Sequence, residues 1–587
     1  MTNELEKNTS INTLIKQIGI FLLPIIATKL VDIFLITIPI WIQVFVLLAC
    51  GVFAAYNFML LPFENQRLTK IKAYINNLEF EKATDELNSK VLYKGKKARF
   101  KETRLWHTIH TMTGNLVEAY KATQKLFKLT MTDTEYRAAL ICRAITAFDA
   151  GNYRLMREII EKFGTNTDKD IGEGLLAESL KAYTLKISGQ PSEAKKMLRS
   201  ALDTFGEGQE AVTAYINLAF YEDLESNTLE AVHILKKAKI ALEKRNDKLL
   251  ISTLYHNLLL WLIKLGEIEP ARSLLQEYEG KINKKDKDQY LEFLNEKLIF
   301  ARQISDASII EDVYKIFRDQ IKPYLSYEKA LLLTVNLLRM ESGNKEKTED
   351  NLRSIQKRLD SIFALKFPNN WYAIKEIFYA LKELEKDGVD HEWDNLYENL
   401  LQKTDELKNE IKDFRSHIPE SITSIHYDWI LEELTLHKYS ARKEADYNGQ
   451  FFTKLFSLAD SMVMIASDAQ NDLLKARACT LFCDEFSAFG SSMGKAVVDS
   501  FRITAQRHLR ELERIVEAHP TENEFAEFSI ACGRFSLLIE ENALKAQAWY
   551  NEFEKRKVSA LHYAPWLRGY LKELEAALSP MPPRVEA

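Results

Sequence analysis

Glycine and proline are scarce in this chain, 20 and 13 residues in a total of 587. A β-rich fold needs turn residues every ~8–12 positions, so the scarcity argues against a strand-based architecture and fits an all-helical one. Cysteine is scarcer still. The five, Cys50, Cys142, Cys479, Cys483 and Cys532, are odd in number and widely scattered. That is no disulfide framework, and it suits a reducing compartment. A charge surplus is also missing, since 79 Lys and Arg stand against 84 Asp and Glu for a net charge of −5. A dedicated nucleic-acid binder carries a basic surplus, so no nucleic-acid partner is expected. The length exceeds what one hydrophobic core supports, so several domains or a repeat array must account for it.

One long apolar run breaks the otherwise mixed pattern. From Ile18 to Leu61 it is interrupted only by the charges Lys29 and Asp32. About 20 apolar residues cross a bilayer, so the run predicts a two-helix hairpin near 18–38 and 41–61. Pro39 would stand at the reversal, with Trp41, Tyr56 and Phe63 at the interfaces. A secretory signal has a shorter apolar core. An alternative topology lays residues 11–30 on the interface and spans once from Val31. Lys29 and Asp32 lie three apart on one helix face. Intramembrane charges are functional candidates by default, and the plainer reading is mutual neutralisation. Residues 67–104 carry eleven Lys and Arg against five Asp and Glu. Such a basic collar marks the cytoplasmic side and would lie against anionic lipid headgroups. The expectation is an integral membrane protein with two spans and the bulk of the chain cytoplasmic.

Behind this run a pattern recurs eight times between Leu68 and Leu352. An apolar helical stretch ends in a turn residue, an aromatic or aliphatic residue follows, and a small or apolar residue three later opens the next helix. The turn residues are Leu78, Gly114, Gly151, Gly189, Ser226, Gly266, Asp306 and Gly343, spaced by 36, 37, 38, 37, 40, 40 and 37. So regular a period predicts an α-solenoid. Gly114-Asn-Leu-Val-Glu-Ala119, Gly189-Gln-Pro-Ser-Glu-Ala194, Ser226-Asn-Thr-Leu-Glu-Ala231 and Gly266-Glu-Ile-Glu-Pro-Ala271 show the unit clearly. Gly tolerates the left-handed backbone that ends one helix. Glu or Pro suits the first turn of the next, and the small Ala lets the two helices approach. Neither helix buries its apolar face alone, so neighbours must stack.

These units resemble the tetratricopeptide-repeat superfamily over roughly half the chain. The family's closing Pro is absent and the units exceed its usual length. The resemblance implies a concave groove that binds peptides or protein segments, and no catalysis. Asn217 and Asn257, each nine residues before its turn residue, stand where family members present Asn to a ligand backbone. The plainer reading is an Asn that satisfies its own helix.

The domain organisation expected is 1–17 as an N-terminal cytoplasmic segment, 18–62 as the transmembrane hairpin and 63–360 as repeats. Residues 361–420 form an acidic helical segment, 421–578 a C-terminal helical region and 579–587 a disordered tail. Within the acidic segment Trp393, Tyr397, Leu400, Thr404, Leu407, Ile411 and Phe414 form a short heptad seam. It could dimerise or dock within its own chain. Near the end, Glu541-Asn-Ala-Leu-Lys-Ala546 reads as one more diverged repeat.

Chemistry-bearing motifs are weak. Gly490-Ser-Ser-Met-Gly494-Lys495-Ala496 lacks the spacing, the hydroxyl residue and the strand of a phosphate loop. Ser492-x-x-Lys495 has no partner motif of the hydrolase kind. His107 and His110 are expected as surface and groove residues, Asp390-His391-Glu392 in a solvated turn, and Cys479 and Cys483 in the core. No catalytic, cofactor or metal residue is assigned. The leading expectation is a membrane-anchored scaffold that binds protein partners through its groove. The alternative is a regulatory subunit of a membrane transporter, channel or envelope-biogenesis complex, engaged through the hairpin. An enzyme built around Lys495 or the C-terminal cysteines is the third.

Overall fold

The structure is a computed structural model. It describes residues 61–578, less 77–78, 90–94, 164–170, 188–189, 206–208, 226, 244–247, 285–286, 305, most of 322–344, 366–368, 386–392, 445–448, 490–494, 521–522 and 557–564. Every element among the described residues is helical.

Contacts divide the chain into a first unit, Met1–Ile109, and a second, His110–Ala587. The first holds α1 (Leu61–Asn76), α2 (Phe80–Asn88) and most of α3 (Lys96–Met112). Leu68, Ile71, Ala83, Leu87, Leu105 and Ile109 make its core. Arg67 fastens it: the buried guanidinium pairs with Glu102 of α3 and donates to the Leu87 carbonyl of α2 at 3.2 Å. A charge this deep persists only when paired.

The second unit continues with α4 (Leu116–Leu129), α5 (Asp133–Asp149), α6 (Tyr153–Phe163), α7 (Ile171–Ile187), α8 (Pro191–Phe205), α9 (Gln209–Leu224) and α10 (Thr228–Glu243). Next come α11 (Lys248–Lys264), α12 (Ile268–Lys281), α13 (Lys287–Gln303) and α14 (Ala307–Ile316), which runs into a π-helical turn at Phe317–Ile321. The chain then forms α15 (Lys345–Gln356), α16 (Leu359–Phe363), α17 (Asn369–Glu385), α18 (Asp394–Ser416) and α19 (Thr423–Glu444). It closes with α20 (Gly449–Asp468), α21 (Asp472–Phe489), α22 (Lys495–Ala518), α23 (Asn523–Leu538), α24 (Ala543–Arg556) and α25 (Pro565–Leu578).

The repeat unit is built as its residues dictate. Gly114, Gly151 and Gly266 take φ of +71°, +68° and +75°, the left-handed step that stops one helix and reverses the chain. Asn115 then caps α4 by accepting from the Glu118 amide at 3.3 Å, and Asp306 caps α14 through the Ile309 amide at 3.1 Å. Ala83, Ala119, Ala194, Ala231, Ala271 and Ala546 are all 0% exposed: the small residue sits where two helices touch. From α7 to α14 the buried side chains form one continuous core, from Leu175 through Leu235 and Leu258 to Phe317. Each Leu, Ile or Phe so buried contributes roughly 1.5–3 kcal/mol. Leu78, Gly189, Ser226 and Gly343 lie outside the described residues.

The C-terminal region repeats the same device without glycine. Gln470 (φ +53°) and Glu541 (φ +55°) make the left-handed turn, and Asn471 and Asn542 cap the next helices through the Leu474 and Lys545 amides at 3.1 and 3.0 Å. The heptad seam docks inside its own chain. Leu400, Thr404, Leu407 and Ile411 are buried in a core shared with α17 and α19, and Phe414 packs edge-on against Trp429 at 5.2 Å.

The transmembrane expectation is corrected. No helix among the described residues is long and apolar enough to cross a membrane, because each long helix keeps a charged face toward solvent. The all-α array of the described residues therefore includes no transmembrane helix, and the two-span hairpin and the integral-membrane placement have no support in it. Nearly all of segment 18–62, with Lys29 and Asp32, lies outside the described residues; Leu61 and Pro62 open α1, which continues unbroken to Asn76. The basic collar is also less free than its charge count implies, since Arg67 is buried and Lys70 pairs with Glu86 at 2.8 Å.

Candidate functional site at a long-range seam

The turn between α5 and α6 does more than reverse the chain. Helix C-termini leave carbonyls without partners, and here remote segments supply them. The Ala150 carbonyl accepts from the Ser424 amide at 2.8 Å, and the Arg154 amide donates to the Ala469 carbonyl at 2.9 Å. Asn471 Nδ2 donates to the Gly151 carbonyl at 3.0 Å across 320 residues. Asn152 Nδ2 donates to the Ser421 carbonyl at 3.3 Å across 269. Gly151 is required twice here, by its φ and because a Cβ would stand 3.2 Å from Asn471 Nδ2. Asp149, next to this turn, is half-buried, and burial alone pushes its carboxyl up to about 6.

Beside the seam opens a cleft of about 790 Å³, within the range that holds small ligands or short peptide segments. Its first wall is Arg143, Arg154, Leu155 and Glu158 from α5 and α6. The second comes from the end of α18 through α19, with Arg415, Glu420, Ser421, His426, Ile430 and Glu433. The third is α20, with Lys454, Leu458, Met464, Ile465 and Asp468. Glu433 is engaged by Arg415 at 2.8 Å and Lys454 at 3.0 Å. Arg154 lies 3.9 Å from Glu158. Met464 is 58% exposed, an unbranched apolar side chain held in solvent at the cleft.

Arg143 is different from its neighbours. The residue is half-buried and its guanidinium carbon lies 5.8 Å from the centroid of the Phe127 ring, which itself packs edge-on against Tyr136 at 5.7 Å. Among the described residues it has no ion pair.

Asn217 and Asn257 lie elsewhere, half-buried on α9 and α11, and neither lines the cleft. Asn257 Nδ2 donates to the Thr253 carbonyl of its own helix at 2.8 Å. Ion pairs tie α9 to α8 and to α11. Glu222 takes Arg199 at 2.7 Å and Lys195 at 3.3 Å, and Asp223 takes Lys264 at 2.7 Å. Burial raises Glu222, but hydrogen bonds from Arg199, Asn227 and Lys195 outweigh it and hold the carboxyl below its usual range.

The C-terminal cysteines form a suggestive line. Cys479 Sγ is 4.0 Å from His508 Nδ1, and His508 Nε2 is 3.0 Å from Asp460. The order matches a nucleophile, a base and an orienting acid. Its environment does not, because Cys479 and Cys483 are fully buried. Burial pushes the Cys479 thiol up to about 12 and holds His508 below its usual value, assisted by Arg507. A reactive cysteine needs the reverse, an exposed and electropositive setting. His107 is buried, against the surface position expected, because it falls on the packed face of α3; His110 is half-buried. Lys495 opens α22, while Gly490–Gly494 and Asp390-His391-Glu392 lie outside the described residues. Among the described residues no three His, Cys, Asp or Glu side chains are placed to hold a metal ion.

No family model matches the chain, and no curated protein matches it. Solved helical-repeat structures are similar to it at low level. A Rap conjugation gene regulator of the plasmid pLS20, in complex with the Phr* peptide, shares 14% identity over 56% of this chain and 99% of its own, with a TM-score of 0.32. A Rap protein complexed with competence and sporulation factor shares 12% over 77% and 99%, with a TM-score of 0.31. The TPR domain of P58(IPK) shares 16% over 69% and 98%, with a TM-score of 0.16. Likeness at this level carries no ligand or partner to this chain. The described helices, with their left-handed turns, Asn caps and buried Ala contacts, form an all-helical repeat array.

Proposed function

We propose that this array is a protein-interaction scaffold with no catalytic role, and that the seam cleft receives a short segment of a partner protein. The observation that carries the reading is the cleft itself. Three segments far apart in sequence are drawn together by backbone hydrogen bonds, and they enclose about 790 Å³ with apolar and charged side chains side by side. Apolar surface combined with a few placed polar groups is what a specific binding site requires. Met464, 58% exposed at this place, gains from being covered. The buried, protonated thiols of Cys479 and Cys483 support binding over chemistry.

The test is a photo-crosslinking residue at position 464, compared in the full chain with the same residue at position 544. Leu544 is 86% exposed and lies outside the cleft. Crosslinks to a discrete polypeptide from 464 but not from 544 are expected in the cells that make the protein. Equal capture from both positions, or none from 464, removes the reading.

A further inference from the structure

The charges of the cleft are not equivalent, and that difference names the chemistry of its occupant. Resting on the reading of the cleft as a partner-segment site, we propose that it selects a segment carrying a carboxylate beside an apolar side chain. The carboxylate pairs with Arg143, and the apolar group covers Met464 and Ile465. Four cations and four acids line the walls. Arg415 and Lys454 are satisfied by Glu433, and Arg154 is drawn toward Glu158. Glu420 and Asp468 are exposed, so water already solvates them and pairing gains little.

Arg143 is half-buried and has no counter-ion among the described residues, so a partner's carboxylate would return what burial has taken from it. Its side chain is also prepared for the task. Its guanidinium carbon lies 5.8 Å from the Phe127 ring centroid, and a guanidinium's N–H edges suit the two-point geometry a carboxylate accepts. Because Arg143 comes from α5 while Met464 and Ile465 come from α20, one segment touching both bridges the seam. Binding is therefore coupled to the hydrogen bonds that the Arg154 and Ser424 amides make across it.

The experiment pans a random short-peptide display library on the full chain, and on its Arg143→Met, Arg143→Lys and Met464→Asp variants. Sequences placing Asp or Glu beside Leu, Ile, Met or Phe should be enriched on the native chain. The matching synthetic peptide, acetylated and amidated, should bind Arg143→Met about tenfold more weakly, the effect of losing one such pair. Arg143→Lys should retain part of the affinity. Replacing the peptide's Glu by Gln should abolish the difference between native chain and Arg143→Met. A free-acid form of the Gln peptide separates a terminal carboxylate from a side-chain one, since only the former restores the Arg143 dependence. Hydrogen exchange at the Arg154 and Ser424 amides should slow on binding, which a diffuse surface attraction would not produce. Enrichment of basic or acid-free peptides, sensitive to Met464→Asp but not to Arg143→Met, overturns the proposal and leaves the binding cleft standing. Absence of enrichment, or enrichment indifferent to both positions, removes the cleft as a binding site.

Discussion

A cysteine pair at positions 151 and 424 should close the seam covalently. A Cβ built at Gly151 lies 3.6 Å from the Ser424 Cβ, inside the separation that disulfides span, ~3.5–4.5 Å. The bridge would close a loop of 424 − 151 = 273 residues, for which chain entropy gives a ceiling of ~5.6 kcal/mol. Two costs reduce it. A cysteine at φ +68° is strained by ~1–2 kcal/mol, and its Cβ would press on Asn471 Nδ2 at 3.2 Å. A net gain of ~2–3 kcal/mol remains, seen as an oxidised form melting several degrees above the reduced one. Native thiols should not compete, because Cys142, Cys479, Cys483 and Cys532 are buried, and Cys50→Ser removes the fifth. The assay is thiol titration and non-reducing electrophoresis of Gly151→Cys/Ser424→Cys, oxidised while folded, followed by thermal melting with and without reductant. A folded double variant that keeps both new thiols free would refute the seam. So would one that links only after denaturation.

Three further outcomes follow from single positions. Asp149→Asn should stabilise the protein at pH 7.5 by up to ~3 kcal/mol, two pKa units' worth, and by little near pH 4. The folded carboxyl, held up to about 6 against 3.8, binds its proton more tightly than the unfolded one. Stability is therefore lost as pH rises through that window; denaturation at the two pH values checks it. Glu541→Gly and Gln470→Gly should each raise the melting temperature through ~0.5–1 kcal/mol, since glycine relieves the left-handed strain at φ +55° and +53° but frees the unfolded chain. Ala231→Leu, at a contact with 0% exposure, should cost ~1–3 kcal/mol by overpacking, measurable by chemical denaturation.

The helix pairs were legible because their signals are local. Gly114, Gly151 and Gly266 mark left-handed turns that few other residues tolerate, and the buried Ala119 and Ala271 after the first and third mark contacts that a small side chain allows, a place Met156 takes after Gly151. The same logic found Glu541-Asn542 through Ala546, though glycine had gone. It missed Gln470-Asn471, where Asn471 as cap was the surviving signal and Lys475 stands at the position Ala holds elsewhere. His107 was misplaced because spacing shows which residues share a face but not which face is packed. The seam and the cleft were not legible at all. They depend on backbone groups pairing across 269 and 320 residues, and carbonyls leave no trace in the identity of the residues that carry them. The apolar N-terminal run met the length rule for spanning by composition, and nearly all of it lies outside the described residues, among which no helix meets that rule.

The hydrogen bonds at Gly151 and Ala150 bear on how such a chain can change over generations. In an open array a repeat can be duplicated or lost at the cost of one interface, because each unit meets only its neighbours. Here the α5–α6 turn must meet Ser424 and Asn471, so any unit gained or lost between residues 151 and 424 would carry those partners out of reach. Closure counts the repeats: insertions can accumulate outside that interval, and within it only changes that return the same two turns to the same place survive.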